Sequence, residues 1–155
     1  MANRGNSANN DGQVPPTYRQ AALQMAAYRS VRAVVNGCLA GRRLNATQWA
    51  ILGAVYDNPE QLRVTDLATQ LQVEGAFVTN LVRQLLKAGY LTHTIHPTDN
   101  RARLLSLTTE GRQLVETVEP ELMQRLQPLA DGLKPADVTC YFSALGTVIA
   151  NATRQ

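Results

Sequence analysis

Residues 72–108, QVEGAFVTNLVRQLLKAGYLTHTIHPTDNRARLLSLT, constrain this chain more tightly than any other stretch. Val78, Leu81, Val82 and Leu85 recur at steps of three and four residues, flanked by Phe77 and Leu86, and form the apolar stripe of one helix. Ala76, Thr79, Asn80, Arg83, Gln84 and Lys87 form the opposite stripe, with Gly75 at its start. Gly89 supplies the stop, because glycine accepts the left-handed conformation at little steric cost. Two β-type runs follow, 91–95 and 103–107, joined by a polar turn with Pro97 and Asp99-Asn100. A helix with an uncharged-to-basic polar face, followed at once by a hairpin with a basic tip, is the layout of a winged helix-turn-helix. The small polar and arginine side chains of the helix suit base edges in a major groove: Asn80 and Gln84 for adenine, Arg83 for guanine or a phosphate. The hairpin residues His96, Arg101 and Arg103 suit phosphates or a narrow minor groove, with Asp99 orienting an arginine.

The flanking sequence supplies the rest of such a lobe. Thr65 is expected to cap a short helix over 66–71, and Val73-Glu74-Gly75 to turn from it into the polar-faced helix. Asn45 caps an earlier helix over 46–57, with Trp49, Leu52, Val55 and Tyr56 as its inner stripe, and residues 60–64 form an extended link. A first helix covers 17–39 and ends at Gly41-Arg42-Arg43. After the hairpin, Thr108 caps a long helix carrying Leu114, Val118, Leu122, Leu126 and Leu129. A last helix runs from Pro135 to about Ala152, with Val138, Phe142, Leu145, Val148 and Ile149 on one face. The expected fold is mainly α with a small β-hairpin wing: a winged lobe over 44–108 and a helical dimerisation region over 17–43 and 109–155. The terminal helices are too apolar for a solvated monomer, which points to a second subunit.

Charge and composition narrow the classes. The 155 residues carry a formal charge of +3, with no acid between Asp11 and Asp57 while Arg19, Arg29, Arg32, Arg42 and Arg43 fall there. Basic character permits nucleic-acid binding. Residues 1–16 are rich in Asn, Gly and Pro and read as a flexible tail. No apolar run is long enough for a membrane span, so the expected location is the cytoplasm. Cys38 and Cys140 are too few and too far apart for a disulfide framework or a zinc site, and no metal or cofactor is expected.

Several stretches together resemble the MarR family of bacterial transcription regulators. They are Leu44-Asn45-Ala46-Thr47-Gln48-Trp49-Ala50-Ile51-Leu52, Val64-Thr65-Asp66-Leu67-Ala68, Phe77-Val78-Thr79-Asn80-Leu81-Val82, Gly89-Tyr90-Leu91, Asp99-Asn100-Arg101 and Leu107-Thr108-Thr109-Glu110-Gly111. The resemblance covers roughly residues 17–152. It implies a homodimer whose terminal helices interlock and whose winged lobes reach successive grooves of a pseudo-palindromic double-stranded operator. It also implies release by a small effector, often an aromatic carboxylate or phenol. Asn80 stands where the family frequently has arginine, and Gly75-Ala76 where hydroxyl residues are common, so operator sequence is where this chain departs.

Three classes of function compete. Catalysis would have to use His93 or His96 on an exposed hairpin with nothing to exclude water, so the chain is not expected to be an enzyme; His93, sharing a strand face with Leu91 and Ile95, reads instead as partly packed. An oxidant-responsive regulator would use Cys38, beside the basic end of the first helix, but its apolar neighbours favour a buried structural thiol. The favoured reading is a repressor released by a small anionic aromatic ligand, with Tyr18, Arg19, Tyr28, Arg29, Arg32 and Trp49 as candidate pocket residues.

Overall fold

The computed structural model describes residues 14–59, 62–96, 99–152 and 154, with the side chains of residues 96–103 outside the description. The expected tail therefore falls almost wholly outside the described residues. In order the elements are α1 (Thr17–Leu39), α2 (Ala46–Asp57), α3 (Val64–Leu71), α4 (Gly75–Lys87), β1 (Leu91–His96), β2 (Asp99–Leu107), α5 (Thr109–Leu126) and α6 (Pro135–Ala152). Short 3-10 turns, Ala40–Arg42 and Gln127–Ala130, extend α1 and α5. Among the described residues no helix is long and apolar enough to cross a membrane.

Local chemistry sets most boundaries. Asn45 and Gln48 form a reciprocal capping box at the start of α2: the Gln48 amide donates to Asn45 Oδ1 at 2.9 Å and the Asn45 amide donates to Gln48 Oε1 at 3.0 Å. Asn36 of α1 accepts from the Ala46 amide at 2.7 Å, so the two helices share that cap. α3 starts earlier than its sequence indicates, at Val64, because the Asp66 carboxylate accepts from the Arg63 amide at 2.7 Å and so satisfies the N-cap; Thr65 lies inside the helix. The turn into α4 is made by Gln72 at φ 54°, and Gly75 is already helical. Arg43 at φ 55°, one residue beyond the Gly41-Arg42 pair, closes the end of α1.

The core is one cluster. Leu39 of α1, Ile51, Leu52 and Val55 of α2, Leu67 of α3, Val78 and Leu85 of α4, Leu105 of β2, and Val118 and Leu122 of α5 are its most enclosed members. It draws on both regions distinguished in the sequence, so the winged lobe and the inner parts of α1 and α5 stabilise one another. Beside the core, Glu121 of α5 pairs with Arg42 at the end of α1 and with Arg125 one turn further along α5, each at 3.2 Å.

α6 is different. None of its residues is buried, and Tyr141, Phe142, Val148 and Ile149 are 49%, 64%, 58% and 46% exposed. Tyr18, Leu23, Met25 and Tyr28 on the outer part of α1 are likewise exposed.

The Leu-Thr-x-x-Gly stretch before α5 acquires a physical explanation. Thr108 Oγ1 accepts from the Gly111 amide at 3.0 Å and donates to the Gly89 carbonyl at 2.6 Å, while the Thr108 amide donates to the Tyr90 carbonyl at 3.1 Å. A Cβ on Gly111 would collide with the Tyr90 carbonyl oxygen and lie 3.2 Å from Leu107 Cδ2. The start of α5 is thus pressed against the backbone that leaves α4.

Candidate nucleic-acid interface

α4 is sorted by its own periodicity. Val78, Leu81, Val82 and Leu85 are buried, and Gly75, Ala76, Thr79, Asn80, Arg83, Gln84 and Lys87 are all exposed. Thr79 Oγ1 donates to the Gly75 carbonyl at 2.8 Å, which leaves its methyl and hydroxyl oxygen on the outer face. The helix ends in a paired C-terminal lock: the Gly89 amide donates to the Leu86 carbonyl at 3.1 Å and the Tyr90 amide to the Leu85 carbonyl at 3.0 Å, with Gly89 at φ 79°. α4 therefore presents a rigid polar stripe whose end is tied, through Thr108 and Gly111, to α5.

The hairpin is longer than the sequence pattern indicates. β2 begins at Asp99 rather than Arg103, and β1 runs on to His96, because antiparallel pairing carries the strands past their apolar residues. The register pairs Leu91 with Leu107, His93 with Leu105 and Ile95 with Arg103, with an irregularity between Ile95 and His96. His96, Asp99, Arg101 and Arg103 thus belong to the paired strands, and their side chains lie outside the description.

One expectation about the hairpin is corrected. His93 is exposed, and so is Ile95 at 60%. The reason lies on the other side of β2. The Leu105 amide donates to the Leu62 carbonyl at 2.9 Å, so β2 is the inner strand and both Leu104 and Leu105 are buried. β1 is left as the outer strand, and of its Leu91, His93 and Ile95 face only Leu91 is buried.

Outside the winged lobe, Tyr18, Arg19, Tyr28, Arg29 and Arg32 all lie exposed on α1, and Trp49 is half-buried on α2 against the core. The chain brings two of them together, with the Arg32 guanidinium carbon 5.7 Å from the Tyr28 ring centre. Cys38 is buried, and burial together with the neighbouring Glu121 carboxylate pushes its thiol above its ordinary range despite Arg42 and Arg125 nearby. That environment is the reverse of what an oxidant-sensing thiolate needs. The sequence reading missed Gln48, which is only 5% exposed and donates from Nε2 to Gln84 Oε1 at 3.0 Å. The Asn-x-x-Gln spacing at 45–48 could have signalled its capping half, but not its link to α4.

A polar-faced helix exposed beside a hairpin wing, both braced by one core, defines a winged helix-turn-helix protein. Residues 44–102 match the MarR family. YetL of Bacillus subtilis (strain 168), an HTH-type transcriptional repressor, is 26% identical over 114 residues, 73% of this chain and 68% of YetL. BpsR of Bordetella bronchiseptica, whose DNA binding is regulated by 6-hydroxynicotinic acid, is 26% identical with a TM-score of 0.72, over 87% of this chain and 97% of that one. MepR of S. aureus, solved as a complex with DNA, has the same fold, with a TM-score of 0.70 at 22% identity over 90% of this chain and 99% of that one. The match to the MarR family covers residues 44–102, and the fold around it is shared with solved MarR-family regulators.

Proposed function

We propose that the chain is a homodimeric repressor that binds a pseudo-palindromic operator and is released by a small anionic aromatic ligand. The observation that carries the reading is α4: its whole polar stripe is exposed while the opposite stripe is buried, next to a wing whose strands carry Arg101 and Arg103. Residues 44–108 act as the DNA-binding unit, and 17–43 with 109–155 as the dimerisation region, whose exposed apolar residues on α1 and α6 need a cover. Tyr28 and Arg32 pair on the uncovered part of α1. A guanidinium against an aromatic wall binds a carboxylate well once a partner helix excludes water. The repressor role of YetL and the nicotinate-type regulator of BpsR's DNA binding support the same reading.

A salt titration of binding to a selected duplex tests it. Arg101→Ala is expected to weaken binding to all sequences alike and to reduce the slope of log affinity against log salt by about one unit. Benzoates or phenols added to the wild-type complex are expected to release the duplex. An unchanged slope would make the wing structural only, and a complex indifferent to every such compound would remove the effector from the account.

A further inference from the structure

The reciprocal cap at the start of α2 determines which way the Gln84 amide points. A backbone amide can only donate, so the end of Gln48 that meets the Asn45 amide at 3.0 Å is its oxygen. Its other end, facing Gln84 at 3.0 Å, is therefore the NH2 group. An NH2 group can only donate, so the Gln84 atom that receives it is Oε1. The orientations of both amides follow from one main-chain N–H. The Gln84 oxygen is turned inward, toward a side chain only 5% exposed, and its NH2 is the end left to the exposed face of α4.

We infer that Gln48 is a positioning residue that sets the base preference of Gln84. The inference rests on the reading of α4 as the DNA-reading helix and deepens it. Adenine recognition by glutamine needs an outward oxygen for N6 together with an outward NH2 for N7. Held by Gln48, Gln84 turns its NH2 donors outward and keeps its oxygen, one lone pair already taken, turned inward. Donors suit the keto bases, guanine through O6 and N7 and thymine through O4, and oppose the amino groups of adenine N6 and cytosine N4. The adenine preference expected for Gln84 from its residue type is thus replaced by a keto preference. The same bonds run on to α1, since the Ala46 amide beside the cap is held by Asn36.

The test is a binding profile of the full chain over randomised half-sites, for wild type, Gln84→Ala, Gln48→Glu and Gln48→Met. Gln84→Ala identifies the position that Gln84 reads by flattening it. There the wild type is expected to favour a keto base over the amino base of the same ring size by about three- to tenfold, the range of one net hydrogen bond. Gln48→Glu keeps an acceptor for the Asn45 amide but presents an oxygen to Gln84. The Gln84 amide then turns over, and the preference is expected to reverse toward the amino bases. Gln48→Met, which fixes neither orientation, is expected to flatten it. A wild-type preference for adenine at that position overturns the inference even if the Gln48 variants fail to fold. So does an unchanged preference in a folded Gln48→Glu. A sequence-selective protein in which Asn80→Ala relaxes a position and Gln84→Ala relaxes none also overturns it, while leaving the reading of α4 intact. Absence of any sequence selection would bring down that reading itself.

Discussion

Gly111→Ala is expected to destabilise the chain by about 1–3 kcal/mol, the usual cost of forcing extra volume into a packed site, and the upper end is the better expectation here. The added methyl meets a main-chain carbonyl, at Tyr90, and not the yielding end of a side chain. Making room means moving the start of α5 away from the exit of α4. That movement strains the bonds from Thr108 to the Gly89 and Tyr90 carbonyls. Gly53→Ala is the internal comparison. Gly53 sits within α2 with nothing near its absent Cβ, so alanine there is expected to add up to about 1 kcal/mol through helix propensity. Thermal unfolding at one fixed protein concentration measures both. A Gly111→Ala protein as stable as wild type would mean that α5 does not press on this turn.

Phe142→Asp is expected to convert the proposed dimer to monomer. On the chain alone Phe142 is 64% exposed, and replacing an exposed side chain on a surface helix ordinarily changes little. In a two-fold dimer closed over α6 the same change places a carboxylate in an apolar seam twice. At about 2 kcal/mol or more for each copy, dissociation strengthens by roughly a thousandfold. Sedimentation velocity at micromolar concentration separates the cases. A variant that sediments as wild-type dimer would place the interface elsewhere.

How far the structure was legible in the sequence depended on the range of the interactions concerned. α1 ends and α2 begins where helical periodicity and the Asn45 cap place them, since both signals lie within a few residues. The two stripes of α4 were readable for the same reason, and the structure exposes one and buries the other. Propensity missed the start of α3 because it favoured Thr65 as the cap, whereas Asp66 satisfies the Arg63 amide from within the helix. What remained hidden was non-local. The exposure of His93 follows from Leu62 bonding to the far side of β2, more than forty residues from Leu105 along the chain. The clamp of Gln48 on Gln84 and the pressure of Gly111 on Tyr90 join residues with no shared periodicity. Residue type alone made Tyr18, Arg19, Tyr28, Arg29, Arg32 and Trp49 candidates for one pocket; a single chain brings Tyr28 and Arg32 together, and the proposed partner subunit has to supply the rest.

The central claim is that the exposed stripe of α4 reads DNA sequence. Its most direct test is selection from a random duplex pool by the purified full chain, repeated with Asn80→Ala. The account expects an enriched inverted repeat whose half-site centres lie about one helical turn or a multiple apart. It also expects Asn80→Ala to lose discrimination at one position in each half-site, by about 1–3 kcal/mol, with the remaining positions unchanged. Enrichment of no motif, or an Asn80→Ala profile that matches wild type at every position, would contradict it.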